Sequence, residues 1–338
     1  MIRIFHHTRY DFIRWWRVMA VTTVAFIALG LGSMLVTGGP RYSIEFTGGT
    51  LMQIAFQQRP DVRQIRGAIE AAGVRGAEIT QFGSDREFTV KAQESETVGP
   101  AAAGAAGAGN TQAEAGAASV SRRIQDVLTR RFGAGSFSVV RTEAVGPRVG
   151  SELRRGAIIA ILISFGLTLA YLAVRFEWRF GLAAVLATAH DILTTLAFIK
   201  LLDLEISLTV IAAILTVIGY SLNDTIIIFD RVRENLRKLK GMPLYDLVNV
   251  SVNETLPRSV MTHATTLGAT VALLLFAGDV IRPFAWVMTF GIFTGTFSSV
   301  YVASSLLVWI ERKYPRAVPA RAASRPAPVR AETPVAAR

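Results

Sequence analysis

The residues best able to do chemistry in this chain sit where charge is least tolerated. In the stretch GYSLNDTIIIFDRVREN (219–235), Asp224 follows an uncharged run that starts at Ile206, and apolar residues separate Thr225 from Asp230. A carboxylate in hydrocarbon costs several kcal/mol unless it is paired, hydrated or protonated, so the first reading of such a group is functional. His190 and Asp191 interrupt a second apolar run, His263 lies in a third, and Arg258 stands at the start of that third run. The chemistry these types allow is reversible protonation. An arginine reaching inward from position 258 could meet Asp224 between adjacent helices. A nearby arginine favours the ionised carboxylate and burial favours the neutral one, so a group balanced between them can exchange a proton as helices move.

Plainer readings stand beside this one. Asp224 could be a static buried ion pair or a polar helix end near the headgroups, and Arg258 an interfacial anchor. Asp191 could be a second proton-relay group or a structural bond to another helix. Adjacent helical side chains project about 100° apart, so His190 and Asp191 are not expected to form a simple pair. His263 reads as a polar packing residue. Asn223 and Thr225 flank Asp224 and are expected to support it. Gly291 and Gly295 form a G-x-x-x-G, which lets helices approach closely.

No other chemistry is signalled. The chain lacks H-E-x-x-H, G-x-S-x-G and Walker patterns, and its 4 histidines have no metal-ligand spacing. With 0 cysteines, thiolate metal sites, thiol catalysis and disulfides are excluded. The expectation is a non-enzyme without catalytic residues, metal ligands or cofactor, handling protons as its coupling ion.

These residues need membrane helices to position them. Of the 338 residues, 51% are hydrophobic, concentrated in runs long enough to cross about 30 Å of hydrocarbon. Six spans are expected, at 18–36, 156–174, 180–199, 206–229, 259–278 and 284–310. The first is too long for a signal peptide and lacks an A-x-A site, so it reads as a retained anchor. Lys and Arg crowd the N-terminal segment 1–17, the loop after span two, the loop 230–258 and the tail 311–338. The opposite short loops carry only Lys200 and Arg282. Both termini are therefore expected in the cytoplasm. The net charge of +11 follows those loops rather than marking a nucleic-acid partner. The tail is rich in Pro, Ala and Arg and reads as disordered.

The segment 37–155 is then external, periplasmic in a Gram-negative cell. Strand candidates at 50–56, around Gly83-Ser84-Asp85 and at 136–145 alternate with helices at 59–73 and 119–133. The order β-α-β-β-α-β gives a small α+β, ferredoxin-like domain between the first two spans. Its Ala/Gly-rich stretch 93–118 reads as a flexible insertion. FTGGT (46–50) lacks the phosphate-loop pattern and reads as a tight turn into the first strand.

EFTGGT (45–50), VGPRVGSELRRGAI (145–158), AHDILTTLAF (189–198), VIGYSLNDTIIIFDRVREN (217–235), SVNETLPRS (251–259) and YVASSL (301–306) together resemble the SecF family. SecF proteins are six-span subunits of the SecD–SecF accessory complex of bacterial Sec export, in the resistance–nodulation–division (RND) superfamily. The likeness covers roughly residues 1 to 312, with Glu45 where the family usually has Asp. It implies a multi-pass inner-membrane protein of six helices, half of an RND-type unit. The implied partners are SecD, the SecYEG channel with a YajC-type accessory, an unfolded secretory polypeptide and the lipid bilayer. It implies that proton flow inward, through a carboxylate matched by Asp224 and an arginine matched by Arg258, moves the external domain and promotes late steps of translocation. An RND-type exporter of small molecules or lipids is the alternative, disfavoured by the small external segment. A non-transporting scaffold would tolerate loss of both charges.

Overall fold

In the computed structural model, residues 8–74, 77–92, 109–278 and 280–315 are described. An apolar run without Pro forms helix α1 (Trp16–Thr37), which ends at Gly38 with φ +84°. A single-turn helix α2 (Ile44–Thr47) then stops at Gly48 and Gly49, both at positive φ (+74° and +124°), and the chain enters strand β1 (Gly49–Phe56). FTGGT is thus a turn that only glycine accommodates without strain.

Asp61 caps helix α3 (Val62–Ala71) by accepting the Arg63 N–H, and Gly73 in the left-handed region turns the chain away after it. Strands β2 (Glu78–Gln81) and β3 (Glu87–Ala92), helix α4 (Gly109–Phe132) and strand β4 (Phe137–Val145) complete the domain. The sheet order is β2-β3-β1-β4, every neighbour antiparallel. This is the ferredoxin-like arrangement expected from the sequence. Period-2 alternation puts Phe88, Val90 and Ala92 against Ile65 and Ile69 of α3 and Ile124 and Leu128 of α4. Lys91 therefore leaves from the opposite face.

Several elements differ from the sequence reading. Helix α4 begins at Gly109, so residues 109–118 of the expected flexible insertion 93–118 are helical. Alanine is the strongest helix former, and an Ala-rich run joined to an amphipathic helix extends it. Residues 93–108 lie outside the described ones. Helix α5 (Pro147–Arg175) starts well before the expected 156, because hydropathy marks only the apolar part of a helix whose first turns are polar. Pro147 suits that first turn. Helices α6 (Trp178–Leu201), α7 (Leu208–Lys238) and α8 (Leu244–Phe276) follow. The expected cytoplasmic loop 230–258 is therefore helical except near Leu239–Pro243. Helix α9 (Arg282–Phe297) leads into a π-helical turn (Ser298–Ala303) and helix α10 (Ser304–Lys313), so the sixth span is not one regular helix. Of the tail expected to be disordered, residues 311–313 are helical and 316–338 lie outside the described residues.

Among the described residues, six helical stretches are long and apolar enough to cross a membrane. Burial ranks them: the most apolar windows of α6, α7 and the α9–α10 stretch are 56%, 50% and 61% buried, against 6% for α1 and α5. The first three form the centre, and α1 and α5 present apolar flanks. At Gly30 a methyl would collide with Ala197, so this glycine lets α1 press onto α6.

Candidate functional site

Helix periodicity collects the polar residues of the spans on their inward faces. On α7, Val217, Ser221, Asp224, Thr225 and Ile228 are all buried, spaced three or four apart. Asp224 is only 3% exposed. Its Oδ1 accepts a hydrogen bond from Ser259 Oγ of α8 at 2.5 Å, and its Oδ2 has no partner among the described residues. Arg258 is exposed and, among the described residues, makes no ion pair with Asp224. The two meet only through a longer electrostatic contact. The reason is azimuth: Ser259 faces α7, and its predecessor is turned about 100° away.

A second carboxylate repeats the pattern one helix back. Asp191 of α6 is 2% exposed and accepts a hydrogen bond from Ser221 Oγ of α7 through Oδ2. Its Oδ1 lies 3.0 Å from His190 Nδ1. The sequence argument against a His190–Asp191 pair is thus corrected. Their Cβ atoms diverge, but an imidazole is long enough to reach back to the neighbouring carboxylate. Thr195 and Thr194 donate to the Asp191 carbonyl, which ties their hydroxyls to the helix rather than to the site.

Each buried carboxylate is thus held by a serine from the next helix, and the two serines' helices adjoin. Thr225 Oγ1 and Ser299 Oγ, 2.8 Å apart, bond α7 to the π-helical turn. A π turn shifts side chains off the regular helical register, which is how Ser298 and Ser299 both become fully buried. Asn223 projects to the exposed side of α7, away from Asp224. Gly291 and Gly295 face Val217 and Ser221, where added Cβ atoms would lie 3.1 Å and 3.0 Å from the Cβ atoms of those residues. These glycines set the depth at which the α9 stretch seats against α7.

His263 sits one turn beyond Ser259 and places Nδ1 against the Ser259 carbonyl. Its ring meets Tyr220 edge-on at 5.1 Å, and its Nε2 is buried without a partner among the described residues. Two residues before Ser259, Pro257 denies the Asn253 carbonyl its helical N–H, locally weakening α8. Ser221, Ser259, Ser299 and the π turn were not singled out from sequence. Serine is common in spans, and only the three-dimensional pairing distinguishes these three. Among the described residues no group of three or more His, Asp or Glu side chains could hold a metal ion.

Comparison with known proteins adds to this geometry. Residues 124–313 match the family model for the protein export membrane protein SecD/SecF, C-terminal, and residues 33–58 match the SecD/SecF GG motif. The chain belongs to the SecD/SecF protein-export membrane family. It is 60% identical over 317 residues to the protein translocase subunit SecF of Gemmatimonas aurantiaca, covering 94% of this chain and 91% of that one. It is 40% identical to the protein translocase subunit SecDF of Thermus thermophilus, covering 90% of this chain but 39% of the relative. The crystal structure of Thermus SecDF, described as a translocon-associated membrane protein, superposes with a TM-score of 0.76 at 39% identity, over 90% of this chain and 39% of that one. The GG-motif match falls on the α1 end and the turn at Gly48–Gly49, and the larger match on α4 to α10. The six-helix membrane architecture with a small antiparallel sheet is therefore that of a SecF-type, RND-like half-unit.

Proposed function

We propose that this chain is the SecF-type subunit of a protein translocase, working with a SecD-type partner and using the proton motive force to promote late steps of polypeptide translocation. One observation carries the reading: in a SecD/SecF-family chain, Asp224 is 3% exposed in a membrane helix, with one oxygen on a serine of α8 and the other without a partner among the described residues. A carboxylate held by a hydroxyl instead of a fixed counter-charge is free to exist neutral or ionised. Asp191 is a second buried carboxylate held by a serine, with His190 against its other oxygen, and Arg258 stands next to Ser259 to respond to the charge. One charge crossing about 100 mV releases about 2.3 kcal/mol, enough to bias a two-state helix arrangement. Protons are the only coupling species this requires, and the chain acts as a non-enzymatic subunit.

The SecD-type partner is supported by the Thermus relative, in which this chain's counterpart is 39% of a longer SecDF chain. The largely uncovered α1 and α5 offer apolar faces for such a partner. A SecYEG-type channel, a YajC-type accessory and the unfolded exported polypeptide complete the proposed assembly. The Lys/Arg distribution supports an inner-membrane orientation with both termini cytoplasmic and the α+β domain periplasmic.

The test is Asp224→Asn, which keeps size and removes titration. Export of a slow secretory precursor into vesicles, with the partner subunit present and assembly verified, should lose its dependence on the proton gradient. Unchanged gradient-dependent export would show Asp224 to be a structural polar group.

A further inference from the structure

The GG turn and its surroundings are not explained by the carboxylates in the bundle. Helix α7 starts at Leu208, and its first N–H groups need acceptors. Ser207 Oγ accepts the Val210 N–H at 3.2 Å. The Leu208 N–H goes elsewhere in sequence, to Oε2 of Glu45 at 2.6 Å. Glu45 lies in α2, directly before the GG turn, and Ser43 Oγ holds the same oxygen at 3.2 Å. The helix N-terminus that an anion could occupy is filled by the chain's own carboxylate.

The backbone reinforces this contact. Ile206 N–H donates to the Arg41 carbonyl at 2.8 Å, and Ser43 N–H donates to the Ile206 carbonyl at 3.0 Å. The two segments thus form a short parallel bridge. Arg41 pairs with Glu78 of β2, and with Asp203 at 2.8 Å and Glu205 at 3.2 Å in the α6–α7 connection. Lys91, on the open face of the sheet, donates to the Tyr42 carbonyl at 2.7 Å and lies 3.6 Å from Glu205. Phe46 is buried among Ile206, Val210 and Ile214. Gly150 of α5 packs against the backbone of Phe46 and Gly48, where an added Cβ would lie 3.1 Å from the Phe46 carbonyl oxygen.

Sheet, α2 and the start of α7 are therefore one body. From Leu208 the same unbroken helix reaches Asp224, about 24 Å away at 1.5 Å per residue. We infer that the joint of Glu45, Arg41 and Lys91 on the α7 N-terminus carries displacement of α7 into the α+β domain, with Glu45 as its positioning residue. The inference rests on the proton-coupling reading above, and its test separates the two.

The chain has 0 cysteines, so paired spin labels can be placed at will. One pair, Arg237 and Trp178, reports α7 against α6 in the bundle. The other, Ser138 and Trp178, reports the domain against the same helix. Distances are measured by pulsed electron resonance in the full chain with its partner in nanodiscs. Asp224→Asn, fixing the neutral form, should shift both pairs. In Asp224→Asn/Glu45→Ala the bundle pair should still shift and the domain pair should not, and Glu45→Asp should restore the domain shift. Arg41→Met, which cuts ion pairs and leaves the helix cap, should also reduce the domain shift. A domain shift that survives Glu45→Ala overturns the joint. So does loss of the bundle shift, because Glu45 would then act on helix packing. If Asp224→Asn moves neither pair, the proton-coupling reading itself fails, and the joint with it.

Discussion

The seam between α7 and the α9 stretch lends itself to a quantitative test. At Gly291 an added methyl would lie 3.1 Å from Val217 Cβ and closer still to its two methyls, all inside a buried layer. Val217 cannot swing away, because a β-branched side chain in a helix has essentially one rotamer. Gly291→Ala should therefore cost about 1–3 kcal/mol as overpacking. Val217→Ala alone removes buried methyls and should cost about 1–2 kcal/mol, by the roughly 0.8 kcal/mol assigned to each buried methylene-sized group. The double variant puts one methyl where two were removed. It should recover most of the loss, giving an interaction energy of about 1–3 kcal/mol in a double-mutant cycle. Thermal unfolding of the purified complex in detergent measures the cycle. Gradient-dependent export should follow the same order, since the seam also holds the Thr225–Ser299 bond and seats Ser221, which binds Asp191 of α6. Additive losses would mean that Gly291 and Val217 do not oppose each other, and that the seating of the sixth span described above is wrong.

Three further outcomes are expected. Thr225→Val and Ser299→Ala should couple by about 0.6 kcal/mol, the usual worth of one hydrogen bond between membrane helices, when their double-mutant cycle is measured by unfolding; zero coupling would refute the bond. Asn249 and Asn253 grip the main chain of Ile13 and Tyr10, so Asn249→Ala/Asn253→Ala should expose the segment before α1 to limited proteolysis, with the membrane helices staying intact. Partial burial works against ionisation of Asp11, but hydrogen bonds from Tyr245, Asn249 and the Arg14 N–H hold its carboxyl below the ordinary 3.8. A lowered folded value means the contribution is present above 3.8 and is lost only as pH falls through the folded value, so Trp15 and Trp16 fluorescence should be flat from neutral pH to about 5 and change only in stronger acid.

Much of the architecture was legible because it follows from periodicity and hydropathy. The six apolar runs, the β-α-β-β-α-β order and the GG turn each rest on one local rule. Helix ends were less legible. A helix does not stop where its apolar run stops, so the polar first turns of α5 and the charged continuation of α7 into Lys238 read as loop. The same limit explains the insertion, where Ala-rich composition signals flexibility if isolated and helix if joined to an amphipathic segment.

In the bundle, the carboxylates were visible from sequence because their burial is so unfavourable. Their partners were not, because hydroxyls carry no such signal. Charge reasoning therefore reached for Arg258 as the partner of Asp224, and geometry supplies Ser259. The difference matters for mechanism. A salt bridge would hold Asp224 ionised in every state, so it would take up no proton. A serine can accept or donate, so the bond to Asp224 survives protonation, and what changes is the charge on Asp224 itself, opposite the buried Ser259–His263 face of α8. Ser259 stands two residues after Pro257, where α8 lacks a backbone bond. Under the proposed function, a change of charge at Asp224 would act at the point where α8 is least resistant, and α7, continuous from its Glu45 cap to Lys238, is the element that would carry the result to both of its ends.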